Sequence, residues 1–131
     1  MNLVIDTSVI IAVIANEPQK PLLIQRTRDF VLVAPSSVHW EIGNAFSAML
    51  KRKRISLSEA NTAIEIYRQI PLNLIAVDLL VALDLASNHN IYAYDAYIMA
   101  CALNQNCPLL SLDKGLLHAA KLAGVETLQV E

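Results

Sequence analysis

The sequence predicts an α/β protein, a three-layer α/β/α sandwich around a mostly parallel central sheet. Three observations lead there. Short apolar runs at residues 3–5, 31–34, 74–77 and 109–112 alternate with stretches of helical character, the pattern of strand–helix–strand units. Hydrophobic residues make up 55% of the 131 and charged residues 17%. The strand-like runs are therefore apolar throughout rather than alternating, as a sheet covered on both faces requires. Asp6 and Asp113 each follow one of these runs at once, and ligands in such sheets sit at the carboxyl ends of the strands.

Each element follows from local chemistry. Leu3-Val4-Ile5 is a short buried strand, and residues 8–15 form a helix that ends before Pro18. A second helix is expected over 22–29. Val31-Leu32-Val33-Ala34 is β-branched enough for a strand and stops at Pro35. Ser36 or Ser37 then N-caps a long helix reaching about Arg54, with Val38, Ile42, Ala45, Phe46 and Met49 as its apolar stripe. Ser56 and Glu59 stand at capping-box spacing and open a helix through about Gln69. A strand over 74–77 precedes Asp78, the expected cap of a helix ending near Asn88. A helix over 96–105, a strand over 109–112 and a helix over 114–123 follow, and 127–130 closes as an edge strand. The three glycines and five prolines are dispersed, with no repeat or linker, so residues 1–131 are expected to form one domain.

Composition narrows the function. The apolar stretch 3–15 is interrupted by Asp6, lacks a basic segment before it and is too short to span a bilayer. A cytoplasmic protein is the expectation. Cys101 and Cys107 are expected to be buried or semi-buried free thiols, because His39, His89 and His118 are too scattered to complete a zinc site. The net charge of −2 excludes a generally basic nucleic-acid binder, yet four of the ten basic residues are consecutive at Lys51-Arg52-Lys53-Arg54. That run reads either as a solvated helix end favourably placed against its dipole or as a phosphate contact. Tyr92, Tyr94 and Tyr97 offer stacking surfaces, or core and interface positions.

Four acids sit at the margins of apolar segments, where a carboxylate needs a hydrogen bond, a counter-charge or a cation. Asp6 reads as a helix cap, but Thr7 and Ser8 offer alternative capping groups that would leave it free to face a cleft. Glu41 lies inside a helix, where capping cannot explain it, on the edge of the apolar stripe near Asn44 and Ala48. Asp95 opens a helix, and Asp113 ends a strand before Lys114; both are open to a capping role. Asp78 has the same cap-like setting and no further reason to be functional, so it serves as a control.

Together these residues resemble the PIN-domain nucleases, especially the VapC-type toxin ribonucleases of toxin–antitoxin pairs. The motifs are Asp6-Thr7-Ser8 after the first strand, Glu41 with Asn44 a turn later, Tyr94-Asp95-Ala96 opening a helix and Ser111-Leu112-Asp113 ending a strand. They run in order over essentially the whole chain. The stretch His89-Asn90-Ile91 lacks the glycine often found there, and Trp40 is an unusual neighbour for Glu41. The resemblance implies a PIN-like sandwich and a divalent-metal-dependent endoribonuclease, a toxin hydrolysing RNA with an activated water. It implies that Asp6, Glu41, Asp95 and Asp113 are catalytic and bind Mg²⁺, with Mn²⁺ as a substitute. Thr7, Ser8, Asn44 and Ser111 would support them, Lys51, Arg52, Lys53 and Arg54 would contact RNA, and a homodimer and an antitoxin protein would be the partners. A non-catalytic RNA- or protein-binding module on the same scaffold is the alternative. A haloacid-dehalogenase-like phosphatase is disfavoured, because Ser8 stands where that chemistry needs a second aspartate.

Overall fold

A computed structural model describes residues 1–131. The order of elements is β1 (Asn2–Ile5), α1 (Thr7–Ile14), α2 (Lys20–Thr27), β2 (Val31–Pro35), α3 (Ser37–Lys51), α4 (Leu57–Gln69), β3 (Leu72–Ile75), α5 (Leu79–His89), α6 (Ala93–Gln105), β4 (Leu109–Leu110) and α7 (Lys114–Leu122). The four strands form one sheet in the order β3-β2-β1-β4, and every pairing is parallel. Parallel neighbours need long crossovers, and these are right-handed almost without exception. The two crossovers that step from β1 to β2 and from β2 to β3 therefore lie on one face. The return from β3 across to β4 carries α5 and α6 on the other, where α6 packs against β1 and β2. This is the expected three-layer sandwich. No helix is long and apolar enough to cross a membrane.

The core explains why the central strands are apolar without alternation. Leu3, Val4, Val33, Ala34, Leu109 and Leu110 are all buried, together with Val9, Ile10, Ile42, Phe46, Met99 and Leu116 from the helices on both faces. Cys101 and Cys107 are free and buried in the same cluster, as their expected role as thiols required. Burial pushes the Cys101 thiol up to about 12, so it is inert packing rather than a nucleophile.

Several boundaries move, those of the strands for a pairing reason. The third strand is two residues earlier than 74–77, because its partner β2 ends at Pro35, opposite Ile75, and leaves Ala76 and Val77 nothing to pair with. The fourth stops at Leu110 rather than Leu112, because it pairs with Val4 and Ile5 and β1 ends there. The expected edge strand over 127–130 reduces to one parallel bridge between Thr127 and Leu109. Helix α2 starts two residues earlier than expected, with Pro21 in its first turn, where a missing N–H costs nothing. Helix α3 ends at Lys51, three residues short of Arg54: Arg52 is its C-cap and Lys53 takes a left-handed φ of 56°. At the other end Ser36 occupies the N-cap position without a side-chain bond, and Ser37 is already helical. The capping box at Ser56 and Glu59 forms in full. Asn90 supplies the left-handed C-cap of α5, with φ 52°, the conformation a glycine would adopt most readily. The absent glycine therefore changes the residue and not the turn.

Candidate active site

The strand order reverses between β1 and β4, and each of these strands ends in a segment carrying an acid. Such a switch point opens a crevice at the carboxyl edge of the sheet.

Asp6 is the anchor of this crevice, only 5% exposed. Its Oδ1 accepts the Val9 amide at 3.1 Å and the Ser8 hydroxyl at 2.6 Å. Its Oδ2 accepts the Ser111 hydroxyl at 2.6 Å. The expectation that Thr7 and Ser8 would relieve Asp6 of capping fails, because both are already inside α1 while Asp6 keeps the extended backbone of an N-cap. Capping and facing the crevice are not alternatives here, since one carboxylate does both. The serines also accept hydrogen bonds in turn: Leu112 N donates to Ser8 Oγ at 3.0 Å, and Asp113 N donates to Ser111 Oγ at 2.9 Å. The chain leaving β4 is thus tied to the chain leaving β1 through two hydroxyls and one carboxylate. Asp113, held at the end of this tie, accepts the Leu116 amide at 3.1 Å as the N-cap of α7 and is exposed.

Glu41 projects from the second turn of α3, half-buried. Its Oε2 accepts the Thr7 hydroxyl at 3.1 Å, so Thr7 serves the glutamate rather than the helix terminus. Its Oε1 is buried without a hydrogen-bond partner, as is Ser37 Oγ one turn earlier. Ser37 lies near enough to favour the charged form of Glu41 without completing a hydrogen bond of normal geometry. The sequence reading treated Ser37 only as a cap; its place four residues before Glu41, on the same helix face, is the signal that would have found it.

Asp95 departs from expectation. It does not begin its helix: α6 starts at Ala93 with Tyr92 as N-cap, and Asp95 is the third helical residue, half-buried and relieved of capping. Asp78, the control, caps α5 through the Leu80 amide at 2.9 Å and is exposed, and it is not among the charges that raise Asp6, Glu41 or Asp95.

Electrostatics tie the four acids into one site. Burial pushes the Asp6 carboxyl above its ordinary range, against the Ser111, Ser8 and Val9 hydrogen bonds that favour the anion, and Asp113 adds repulsion. Glu41 is raised first by burial and then by repulsion from Asp6 and Asp95. Asp95 is raised by burial and then by Asp113 and Asp6. No His, Cys, Asp or Glu side chains form a closed coordination group of three or more in these rotamers. The donor set is nevertheless wholly oxygen, as hard cations prefer, and it includes the unpartnered Oε1 of Glu41. These residues fit a divalent cation.

Among the remaining candidates, Asn44 is exposed on the outer side of α3. Lys51, Arg52, Lys53 and Arg54 are all exposed, but they do not form a helical turn; the last three make the turn that ends α3. The protein's one ion pair is Glu65–Arg68, so the basic run has no carboxylate partner.

Four acids gathered around the switch point of a parallel sheet, in this order of motifs, point to the PIN class, and the chain belongs to the PIN-domain family: the PIN domain model matches residues 3–122. No curated protein matches by sequence at a significant level. Solved structures are similar in fold. PAE2754 of Pyrobaculum aerophilum superposes with a TM-score of 0.75 at 19% identity, covering 97% of this chain and 83% of that one. FitAcB of Neisseria gonorrhoeae gives 0.71 at 17% identity over 98% of this chain and 97% of that one. VapBC2 of Rickettsia felis, solved bound to a DNA fragment from its promoter, gives 0.71 at 14% identity over 98% of both.

Proposed function

We propose that residues 1–131 form a single PIN-like nuclease unit, a Mg²⁺- or Mn²⁺-dependent endoribonuclease acting as the toxin of a type II toxin–antitoxin pair in the cytoplasm. The observation that carries this reading is the mutual repulsion of Asp6, Glu41, Asp95 and Asp113 in a partly desolvated crevice. A module that only binds RNA or protein gains nothing from holding four acids together, whereas a nuclease needs that charge to hold a cation. Family membership and the likeness to the FitAcB and VapBC2 structures support the toxin assignment.

Asp6, Asp95 and Asp113 would hold the ion, with Glu41 as a further ligand or as the group that orients the attacking water. When bound, the ion offsets the clustered negative charge and makes water a stronger nucleophile at neutral pH. The protein's own groups set the geometry. Ser8 and Ser111 fix both oxygens of Asp6, and Thr7 fixes one oxygen of Glu41 and leaves the other without a protein partner. Asn44 would contact the substrate beside Glu41, and Lys51, Arg52, Lys53 and Arg54 would hold phosphates of the RNA. Water attack leaves 5′-phosphate and 3′-hydroxyl ends.

The partners proposed are an antitoxin protein and a second copy of the chain. The exposed Leu79, Leu80, Val81 and Leu83 of α5 support an apolar interface, and light scattering showing a monomer at every concentration would reject the dimer. The decisive experiment for function is RNA cleavage with Mg²⁺, Mn²⁺ or chelator, comparing the parent with Asp6→Asn. Metal-dependent cleavage lost in the variant is expected. Cleavage indifferent to both changes, or 2′,3′-cyclic phosphate as the primary product, removes the metal-nuclease reading.

A further inference from the structure

Trp40 is the only tryptophan of the chain and is 74% exposed, directly before Glu41 on α3. An indole so open to water forgoes much of its hydrophobic stabilisation. It is nevertheless braced: the His39 ring meets it edge-on with centroids 4.8 Å apart, and His39 Nδ1 is 3.1 Å from the Tyr67 hydroxyl on α4. At about 100° per residue, Trp40, Asn44, Ser47 and Lys51 fall within one narrow arc on the outer face of α3, and all four are exposed. Glu41 stands beside this arc on the crevice flank and is the only acid in the helix. The arc runs into Arg52, Lys53 and Arg54, none of them paired with a carboxylate.

We propose that this outer face of α3 is a track for single-stranded RNA, with Trp40 stacking on a base next to the phosphate presented to the acids. The proposal rests on the ribonuclease reading and adds the element that selects the substrate's form. From Trp40 to Lys51 the helix rises about 16 Å, room for roughly three to five nucleotides at ~3.4 Å or more each. An aromatic platform leading to unpaired cations is the arrangement that binds single strands, because every base has a face to stack and every phosphate a charge to neutralise. A protein segment fits less well. Trp40 is the one large apolar side chain on the arc, whereas helices and peptides dock on contiguous apolar surface. Trp40 is therefore a positioning and specificity residue rather than a catalytic one. Duplex RNA, whose bases are stacked on one another, offers it nothing.

Because the chain has a single tryptophan, its fluorescence reports on this position alone. The test titrates the full chain, in chelator to prevent cleavage, with short oligouridylate and oligoadenylate and with the duplex they form. Affinity is followed in parallel by anisotropy of labelled RNA. Single strands should quench Trp40 and the duplex should not. Trp40→Ala should weaken single-strand affinity by roughly 5- to 150-fold, the range of base–aromatic stacking, while Trp40→Phe keeps most of it. Lys51→Gln should lower the salt slope by about 0.7. Binding without quenching, equal affinity of Trp40→Ala, no RNA binding, or quenching only by a peptide each overturns the proposal. If Trp40→Ala cleaves and binds RNA as the parent does, the track falls and the nuclease stands. If single strands quench Trp40 and depend on it, yet no divalent ion supports cleavage, the track stands and the nuclease falls.

Discussion

Ser111→Ala tests the arrangement of the crevice most directly, because this buried hydroxyl joins two strands' worth of functional chain. Ser111 is 1% exposed; its Oγ donates to Asp6 Oδ2 at 2.6 Å and accepts from Asp113 N at 2.9 Å. Removing it deletes one hydrogen bond to a charged group, worth about 1.5–3 kcal/mol, and one to a backbone donor, worth about 0.5–1.5 kcal/mol. Water entering from the exposed Asp113 side can replace part of the second. The expected destabilisation is therefore about 2–4 kcal/mol, measured by urea unfolding as a lower midpoint at unchanged slope. The pH dependence has a definite sign. The Ser111 bond favours the ionised form of Asp6, so its loss raises that carboxyl further. The penalty should be largest where Asp6 is charged and shrink as the pH falls through its folded-state value. Ser8→Ala, which loses the matching bonds to Asp6 and Leu112, should be non-additive with it, because both serines act on one carboxylate. A Ser111→Ala loss below about 1 kcal/mol, or full additivity with Ser8→Ala, would refute the view that Asp6 is clamped from both sides.

Two further outcomes follow from the same geometry. Asp6, Glu41 and Asp95 all have folded-state values raised above their ordinary ones. Stability contributed by their neutral forms is therefore complete below the ordinary carboxylate values and is lost as pH rises through the raised ones. Metal-free protein should unfold more easily at neutral pH than at mildly acidic pH by this contribution. Mg²⁺ or Mn²⁺ should reverse the loss, by about 2.7 kcal/mol at a hundredfold excess over the dissociation constant, and should not do so in Asp95→Asn; thermal melts with and without the ions decide it. At the left-handed C-cap of α5, Asn90→Ala should cost about 1 kcal/mol and Asn90→Gly should be neutral or stabilising. Equal stability of the two variants would contradict the assigned turn.

Much of the fold was legible because parallel strands buried on both faces must be apolar runs, and the cap of a helix is a local hydrogen bond. The apolar runs at Leu3-Val4-Ile5 and Val31-Leu32-Val33-Ala34, the capping box at Ser56 and Glu59 and the control role of Asp78 needed no knowledge of distant residues. Strand limits did. Whether Ala76, Val77, Ser111 and Leu112 belong to strands depends on where β1 and β2 stop, and a ladder ends when its partner turns away. The start of α6 at Ala93 was likewise hidden, since Tyr92 caps it without the side-chain bond that a sequence advertises.

The sequence by itself determined the chemistry: which acids stand at strand ends, that Glu41 is no cap, and that a basic run follows it. Tertiary structure alone decided their relationship. Asp6 is both cap and crevice carboxylate because Ser111, 105 residues away, donates to its second oxygen. Thr7 belongs to Glu41 because the crossover lays α1 beside α3. Glu41 Oε1 has no partner because burial removes water from it. Hydrogen bonds and desolvation depend on what lies within a few ångströms, and the order of strands in the sheet, not the order of residues in the chain, sets that.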